Sequence, residues 1–484
     1  MRQMISLAIG IGCILGFCLE PSVGASSSVI EVGDERQLFL DDYWFERQEN
    51  VKLTMHPPTP RDVVVRCDRP WESKWLHYSS VIFDEGLYRM WYRVDEGNPI
   101  DNKEALLWTC YAESRDGIHW NKPNLGLYPY KGSTDNNILG DAKKDFVNVS
   151  VIVDPTQKPG SPARYKMVSR VKGISGYVSA DAKNWRPVET NPLLTEGPFD
   201  SHNTLVWDDE RRRYVIHMRG RDVSMPGSFG GGRRAIRRSE SSDFLKWSKP
   251  ELVVTADEKD PVDLHFYTNA AVKYFRAART FLMFPMILYP ERTYPGAPFP
   301  GLSDVQFASS RDGVQWRRSF RRPFLSPDLD ERNWVDRNPI MGQGVVPTGS
   351  DEISLYYSEL FRTAKETRLR RCTLRTDGFV SVEGPYTGWG EFTTRPIRFR
   401  GNRLHLNYRT SGGGGLQVEL QSEAGVALKG FEMQNCPEIF GDKIEGIVRW
   451  REGEDVSTLA GKPVRMRVRL RDAHLYAFHF TPEK

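Results

Sequence analysis

Cysteine, charge of one sign and long apolar runs are all scarce in this chain of 484 residues, and each shortage excludes something. Six cysteines are present, Cys13 and Cys18 within the first 25 residues and Cys67, Cys110, Cys372 and Cys436 far apart in the rest. None forms a Cys-x-x-Cys pair, which argues against a cysteine-clustered zinc site; the last four are left as one or two disulfides or as buried free thiols. The net charge is +4, and the basic clusters around Arg211, Arg233 and Arg317 are interleaved with acids. Without a basic face carrying stacking aromatics, nucleic acid is not an expected partner. No apolar run after residue 25 is long enough to cross a bilayer, so no membrane span is expected.

What apolar run there is lies at the start. Arg2 precedes Ile5 to Leu19, and Val23-Gly24-Ala25 supplies small residues, the pattern of a secretory signal peptide over residues 1–25 cleaved near Ala25. Bulky Phe17 beside Cys18 disfavours a lipid anchor. The mature protein is expected to be secreted or periplasmic.

Turn residues are plentiful, with 41 glycines and 31 prolines, and aromatics make up 12%. That composition fits a loop-rich all-β chain. One short pattern recurs four times: SRDGIHW ending at Trp120, SADAKNW at Trp185, SSDFLKW at Trp247 and SRDGVQW at Trp316, with spacings of 65, 62 and 69 residues. A period that long, carried by strand-like segments, predicts propeller blades. Each copy reads as scaffold: a tight turn held by Ser and Asp, with the tryptophan packed between blades.

A second unit, strand, turn and strand, recurs five times, over residues 77–93, 146–170, 201–219, 266–286 and 341–359. The four tryptophan copies plus a degenerate one at Asp377-Gly378 match these five, so a five-bladed β-propeller is expected over residues 30–385. From Gly388 the pattern alternates with period two, as in Val464 to Arg471, which predicts a C-terminal β-sandwich over 388–484. The arginine stripe Arg465, Arg467, Arg469 and Arg471 reads as a solvated strand face, and Gly412 to Gly415 as a strand connection.

This organisation, with the segments LFLDDYWFE, RPWE, DSHN, YTNAAV, MGQG, GEFTTRPIRF and EIFGDKIE, resembles the five-bladed glycoside hydrolase superfamily of invertase-like, arabinanase-like and mannoside phosphorylase-like enzymes. More narrowly, it is similar to bacterial secreted proteins commonly labelled family 32-like glycosyl hydrolases. The invertase signatures Trp-Met-Asn-Asp-Pro-Asn-Gly, Arg-Asp-Pro and Glu-Cys are absent, so the resemblance implies fold and general chemistry but not fructan specificity. It implies a secreted glycosidase acting on an oligo- or polysaccharide, with carboxylates from the first three blades converging on the axial funnel. A non-catalytic carbohydrate-binding propeller, or glycosyl transfer and phosphorolysis, remain the alternatives.

Glycosidic cleavage needs one group to protonate the leaving oxygen and one anion to activate water or attack the anomeric carbon. Searching the starts of the inner strands gives Asp200, Glu72 and Asp145 as candidate catalytic acids, Asp200 foremost because it enters a strand beside His202 and Asn203. His77, Arg93, His202, Asn203, Asp263, Tyr267, Asn269 and Gln343 are candidate sugar-binding groups. Arg93, Arg170 and Arg219 recur after the second strand of the first three blades, either bridging blades or recognising an anionic sugar. No cofactor is expected; a calcium ion on the axis enters by analogy alone, since Asp200-Ser-His202 and Asp263-Leu-His265 are common strand patterns.

Overall fold

The computed structural model describes residues 29–96, 106–143, 145–224, 231–363 and 367–482. The expected leader lies outside the described residues. No helix among them is long and apolar enough to cross a membrane.

The chain is all-β, and outside the sandwich its described strands form six sheets, which follow one another as blade-like units with the fourth split in two. Blade one runs outward through Trp75–Asp84, Leu87–Glu96 and Leu106–Ser114, with Trp120–Asn121 and Ile138–Asp141 sharing its outer edge. Blade two comprises Ser150–Val153, Tyr165–Arg170, Ile174–Ser179 and Arg186–Pro187; blade three comprises Thr204–Asp208, Arg213–Asp222, Arg233–Ser241 and Glu251–Val254. Blade four is broken into two three-stranded pieces, one beginning with His265–Phe266 and the other with Val272–Lys273. Blade five has Ile340–Met341 and Val346–Pro347 on the axis, followed by Glu352–Glu359 and Arg368–Arg375. Its outermost strand, Thr59–Arg66, comes from ahead of blade one, so backbone hydrogen bonds between the two ends of the chain path close the ring.

The four repeats do the same job in each copy. The serine Oγ donates to the aspartate Oδ1, at 2.9 to 3.0 Å, and that oxygen accepts the N–H groups two and three residues on. The residue after each aspartate is left-handed, with φ of 72° at Gly117, 66° at Ala182, 68° at Phe244 and 65° at Gly313. Glycine suits that position in two copies, while Ala182 and Phe244 take it at a cost of about 1 kcal/mol. The tryptophans then reach across blades: Trp120 meets Tyr356 of blade five at 5.6 Å, Trp185 meets Trp91 of blade one at 6.2 Å, and Trp316 meets His217 of blade three at 5.3 Å.

The sandwich is one sheet folded on itself. Arg403–Ser422 and Val464–Thr481 pair along nearly their whole lengths, and both bend together, at Thr410 to Gly415 and at Asp472, whose φ is 43°. The glycine run marks this bend. A Cβ on Gly414 would lie 2.2 Å from the Asp472 carbonyl oxygen, so only glycine lets the two backbones approach there. The apolar side chains of both layers, among them Leu416, Val418, Val468, Leu475 and Phe480, interdigitate in one core. Three arginines of the stripe are paired with acids, Arg467 with Glu391 at 2.7 Å, Arg471 with Glu438 at 3.0 Å and Arg465 with Glu46 at 3.4 Å, while Arg469 donates to the Gln417 side chain at 2.7 Å.

The expected boundary at residue 30 needs correction. Ile30–Gly33, Gln37–Leu38, Phe45–Glu49 and Lys52–Met55 all join the sandwich sheet, and Val32, Phe39 and Trp44 fill its core. The sandwich is thus built from both ends of the chain, and it also takes in Val380–Glu383, ahead of the expected start at 388. All four described cysteines are free thiols, and Cys110, Cys372 and Cys436 are buried. Of the two options left by the sequence, the second holds.

Candidate functional site

The inner strands begin at one end of the ring, and the second strand of each blade ends there, so ten short segments deliver side chains to one mouth. In register, His77 faces Arg93 across blade one, and Thr204 faces His217 across blade three, two residues short of Arg219. Left-handed backbone concentrates at the same level: φ is 52° at Tyr78, 54° at Asn148, 43° at Ala270, 63° at Arg337 and 70° at Arg362. Strain of this kind persists only where surrounding contacts hold it, and it gathers at functional sites.

A polar chain crosses four blades. Arg93 grips Asp95 with two bonds, Nε to Oδ1 at 2.6 Å and Nη2 to Oδ2 at 3.0 Å, and donates to Asn148 Oδ1 at 3.1 Å. Asn148 donates to the Ser201 carbonyl, Ser201 Oγ donates to the Tyr267 carbonyl at 2.8 Å, and Arg219 Nη2 donates to that same oxygen at 2.8 Å. Arg219 Nη1 meets Asp200 Oδ1 at 2.7 Å; the arginine side chain is 1% exposed and the aspartate 63%. From blade five, Arg337 pairs with Asp336 at 3.0 Å, donates to the Tyr267 hydroxyl at 3.3 Å and shares Asp336 with Arg362.

Tyr267 is the hub. The guanidinium carbons of Arg219, Arg234 and Arg337 lie 4.2, 5.3 and 5.6 Å from its ring centre. Burial pushes its hydroxyl up, but Arg337, Arg219 and Arg234 outweigh burial and hold it below the ordinary 10. Burial and the neighbouring Tyr267 raise Tyr78 instead, so Tyr267 is the more acidic of the two phenols. Asp95 is also pulled both ways: burial raises it, but Arg93 and His77 prevail and keep its carboxylate ionised.

The expected residues divide into three groups. Asp200, Arg93 and Tyr267 meet at the mouth as anticipated. His77, His202, Asn203, Asn269 and Gln343, expected to touch sugar, are all buried at 5% exposure or less; the last four are hydrogen-bonded within the protein, whereas both ring nitrogens of His77 lack a hydrogen-bond partner, Nε2 lying 3.6 Å from Asp95. Gln343 is the extreme case. It comes from blade five; its Oε1 accepts from Ser80 of blade one and Ser150 of blade two, and its Nε2 donates to the carbonyls of Leu205 in blade three and Ala271 in blade four. One amide thus ties all five blades and closes the axis. Its layer, with Ser80, Ser150, Thr204 and Asn269, holds no carboxylate among the described residues, which is a poor donor set for the axial calcium.

The third group leaves the mouth. Glu72 is bonded to Lys122 at 2.5 Å and to the Tyr92 hydroxyl at 2.7 Å, in the core between blades one and five. Burial raises its carboxyl, with Lys122 and Tyr92 opposing. Asp145 folds back onto the turn after Ile138–Asp141, its Oδ2 accepting the Asp141 N–H at 3.2 Å. Asp263 lies beside His265 and Tyr289 at the side of blade four. The three expected catalytic acids are therefore not brought together; Asp200 alone of them stands at the mouth. Asp95, Asp336, Arg337 and Arg362 were not singled out from sequence, although Asp95 sits two residues beyond Arg93 on the same strand face.

Two of the cavities among the described residues lie away from the mouth. One of about 530 Å³ opens at the opposite end of the axis and is apolar, lined by Val81, Phe83, Val151, Trp207, Val272 and Phe275; Gln343 separates it from the mouth. Another of about 520 Å³ lies on the sandwich beside the Arg467 and Glu391 pair. His405, Glu445 and His479 cluster on the sandwich too, but Arg36 and Arg276 already occupy Glu445, which leaves a poor cation site.

His77 and His202 give the mouth a pH dependence. Burial holds each imidazole down at about 4, against the ordinary 6.5. Unfolding lets each take up a proton between those values, so folded stability is complete above about pH 6.5 and declines as pH falls toward 4, by about 1.4 kcal/mol per unit from each. His202→Phe keeps a ring against Tyr78, 5.7 Å away in the native protein, and removes the titration. Urea denaturation from pH 7 to 4.5 should show a shallower slope in this variant; an unchanged slope removes His202 from the account.

No family model and no curated protein matches the chain. Several solved structures are similar to it: a glycoside hydrolase at 13% identity, covering 66% of this chain and 92% of that one with a TM-score of 0.45; an N-acetylgalactosamine deacetylase from F. plautii in complex with blood group B trisaccharide, at 14% identity, 68% and 96% coverage and a TM-score of 0.45; and an α-L-arabinofuranosidase from Podospora anserina in complex with cellotriose, at 10% identity, 68% and 97% coverage and a TM-score of 0.40. Likeness at this level transfers no residue roles to the mouth described above.

Proposed function

We propose that this is an exported carbohydrate-active enzyme that hydrolyses a glycosidic bond at the mouth of the propeller. The observation that carries the reading is Arg219: with one guanidinium it holds the exposed Asp200 carboxylate at 2.7 Å and lies over Tyr267 at 4.2 Å. Glycosidic cleavage needs a base or nucleophile and a proton donor, and the solvent-facing Asp200 carboxylate and the acidified Tyr267 phenol can take these two roles. Asp200 takes a proton from water as its oxygen bonds to the anomeric carbon. Tyr267 gives its proton to the departing oxygen as the glycosidic bond breaks. Solvent then returns a proton to the phenol and removes one from the carboxyl. Tyr267 is half-buried and can meet a sugar ring in part, while Tyr78 and Phe361, at 4% and 2% exposure, are core residues.

The clustered arginines favour a second reading, transfer of the glycosyl group to inorganic phosphate. A release screen separates the readings. The purified protein is incubated with a panel of polysaccharides and aryl glycosides, with and without phosphate. Free reducing sugar made equally in both conditions supports hydrolysis; a sugar phosphate made only with phosphate supports transfer. Binding to a glycan with no product under either condition returns the propeller to a carbohydrate-binding role.

A further inference from the structure

Charge at the mouth is unbalanced. Arg93, Arg170, Arg219, Arg234, Arg337 and Arg362 face Asp95, Asp200 and Asp336, and each aspartate is already engaged by one or two of these arginines. His77 and His202, held neutral at ordinary pH, add nothing to either side. None of these aspartates pairs with Arg170. This arginine ends the second strand of blade two, has no carboxylate within ion-pair distance among the described residues, and has a buried Nε without a hydrogen-bond partner. Its backbone N–H donates to the Val147 carbonyl at 3.0 Å, one residue from the Asn148 that accepts from Arg93, which places it at the mouth; Arg93 opposes its charge, and Tyr78, Asp200 and Asp95 favour it. Burying a guanidinium next to a second one, without an anion, is costly, and solvent alone compensates poorly.

From this we infer that the mouth binds an anionic sugar, with Arg170 engaging a carboxylate or sulfate carried on that sugar. This rests on the glycan reading above and narrows it to a substrate class. A planar guanidinium with several N–H donors suits both groups, since each presents two or more oxygens to it. Attraction between unpaired charges also weakens as salt rises, which a neutral sugar would not show.

The test is a glycan array of glucuronate-, galacturonate- and sulfate-bearing oligosaccharides beside their neutral parents, probed with the full-length protein at two salt concentrations. Inorganic phosphate and sulfate serve as free-ion competitors. Binding is expected on uronate or sulfated members, weaker at high salt, and reduced at least about tenfold in Arg170→Met, with Arg170→Lys between the two. The uronate and sulfate arms show which anion is read. Equal binding to the neutral parents, full retention of binding in Arg170→Met, no binding to any anionic member, or displacement by phosphate at the concentration at which the glycan itself binds would each overturn the inference. Hydrolysis is scored separately. Anionic binding without product keeps this inference and removes the enzymatic reading; product from neutral glycans alone does the reverse.

Discussion

Gln343→Ala is expected to destabilise the protein by roughly 3–5 kcal/mol and to broaden or split its unfolding transition. The side chain is 5% exposed and makes four bonds, one to each of the other blades. Ser80 and Ser150 keep their second bonds, accepting the N–H groups of Val151 and Leu205, so the loss is partial at those two hydroxyls. The carbonyls of Leu205 and Ala271 lose a buried donor and gain only a dry cavity, which costs about 1–3 kcal/mol for each group. Gln343→Glu sharpens the test. A carboxylate there faces two carbonyl oxygens, so the folded state favours the protonated acid and its pKa rises above the unfolded value; stability should therefore recover as pH falls from 7 toward 5. Urea midpoints of the three proteins at pH 7 and pH 5 decide it. A Gln343→Ala protein as stable as the parent would mean that the axis is held by the strands alone.

Gln343 also shows why parts of the molecule were legible in the sequence and others were not. The repeats could be read because their bonds are local: Ser114, Asp116 and Trp120 settle their turn within seven residues, and four copies in step count the blades. Alternation over Val464 to Arg471 likewise exposes a half-buried strand without reference to its partners. Gln343, by contrast, looks like any polar residue at the start of a strand, and its role appears only when strands from five distant segments meet. The same holds for Ile30–Gly33, which pairs in parallel with Ile397–Phe399, and for Thr59–Arg66, which closes blade five. Nothing within those short segments points to partners some 300 residues away.

The candidate site was legible in part for a related reason. Asp200 stood out because acid, imidazole and amide follow one another in a single strand entry, and Arg93, Arg170 and Arg219 because they recur. Glu72 was equally acidic and equally close to an inner strand, but Trp71, Tyr92 and Lys122 draw it into the core. Which side of a strand entry faces the axis depends on bulges such as the one between His77 and Ser80, and a bulge leaves no mark in composition. Arg337 was hidden by its setting, since Asp336-Arg337-Asn338-Pro339 reads as an ordinary loop.

Asp200→Asn is expected to lower kcat on whichever glycan the release screen identifies by about 10²- to 10⁴-fold, the usual contribution of a positioned acid or base, while the thermal midpoint moves little. The small stability change follows from exposure: Asp200 is 63% exposed, and exposed ion pairs contribute about 0–1 kcal/mol. Arg219 stays anchored in the variant by the Tyr267 carbonyl at 2.8 Å and by the ring beneath it. A purely structural aspartate would behave in the opposite way, with activity following stability. Arg219→Met supplies a second, independent signature. Removing one of the three guanidiniums around Tyr267 lets its hydroxyl rise toward the ordinary value. If Tyr267 donates the proton, activity falls as pH climbs through its pKa, and the alkaline limb of the pH profile should move to higher pH in Arg219→Met but stay in place in Asp200→Asn. A limb that does not move in Arg219→Met assigns proton donation to another group; full activity in Asp200→Asn removes the carboxylate from the chemistry.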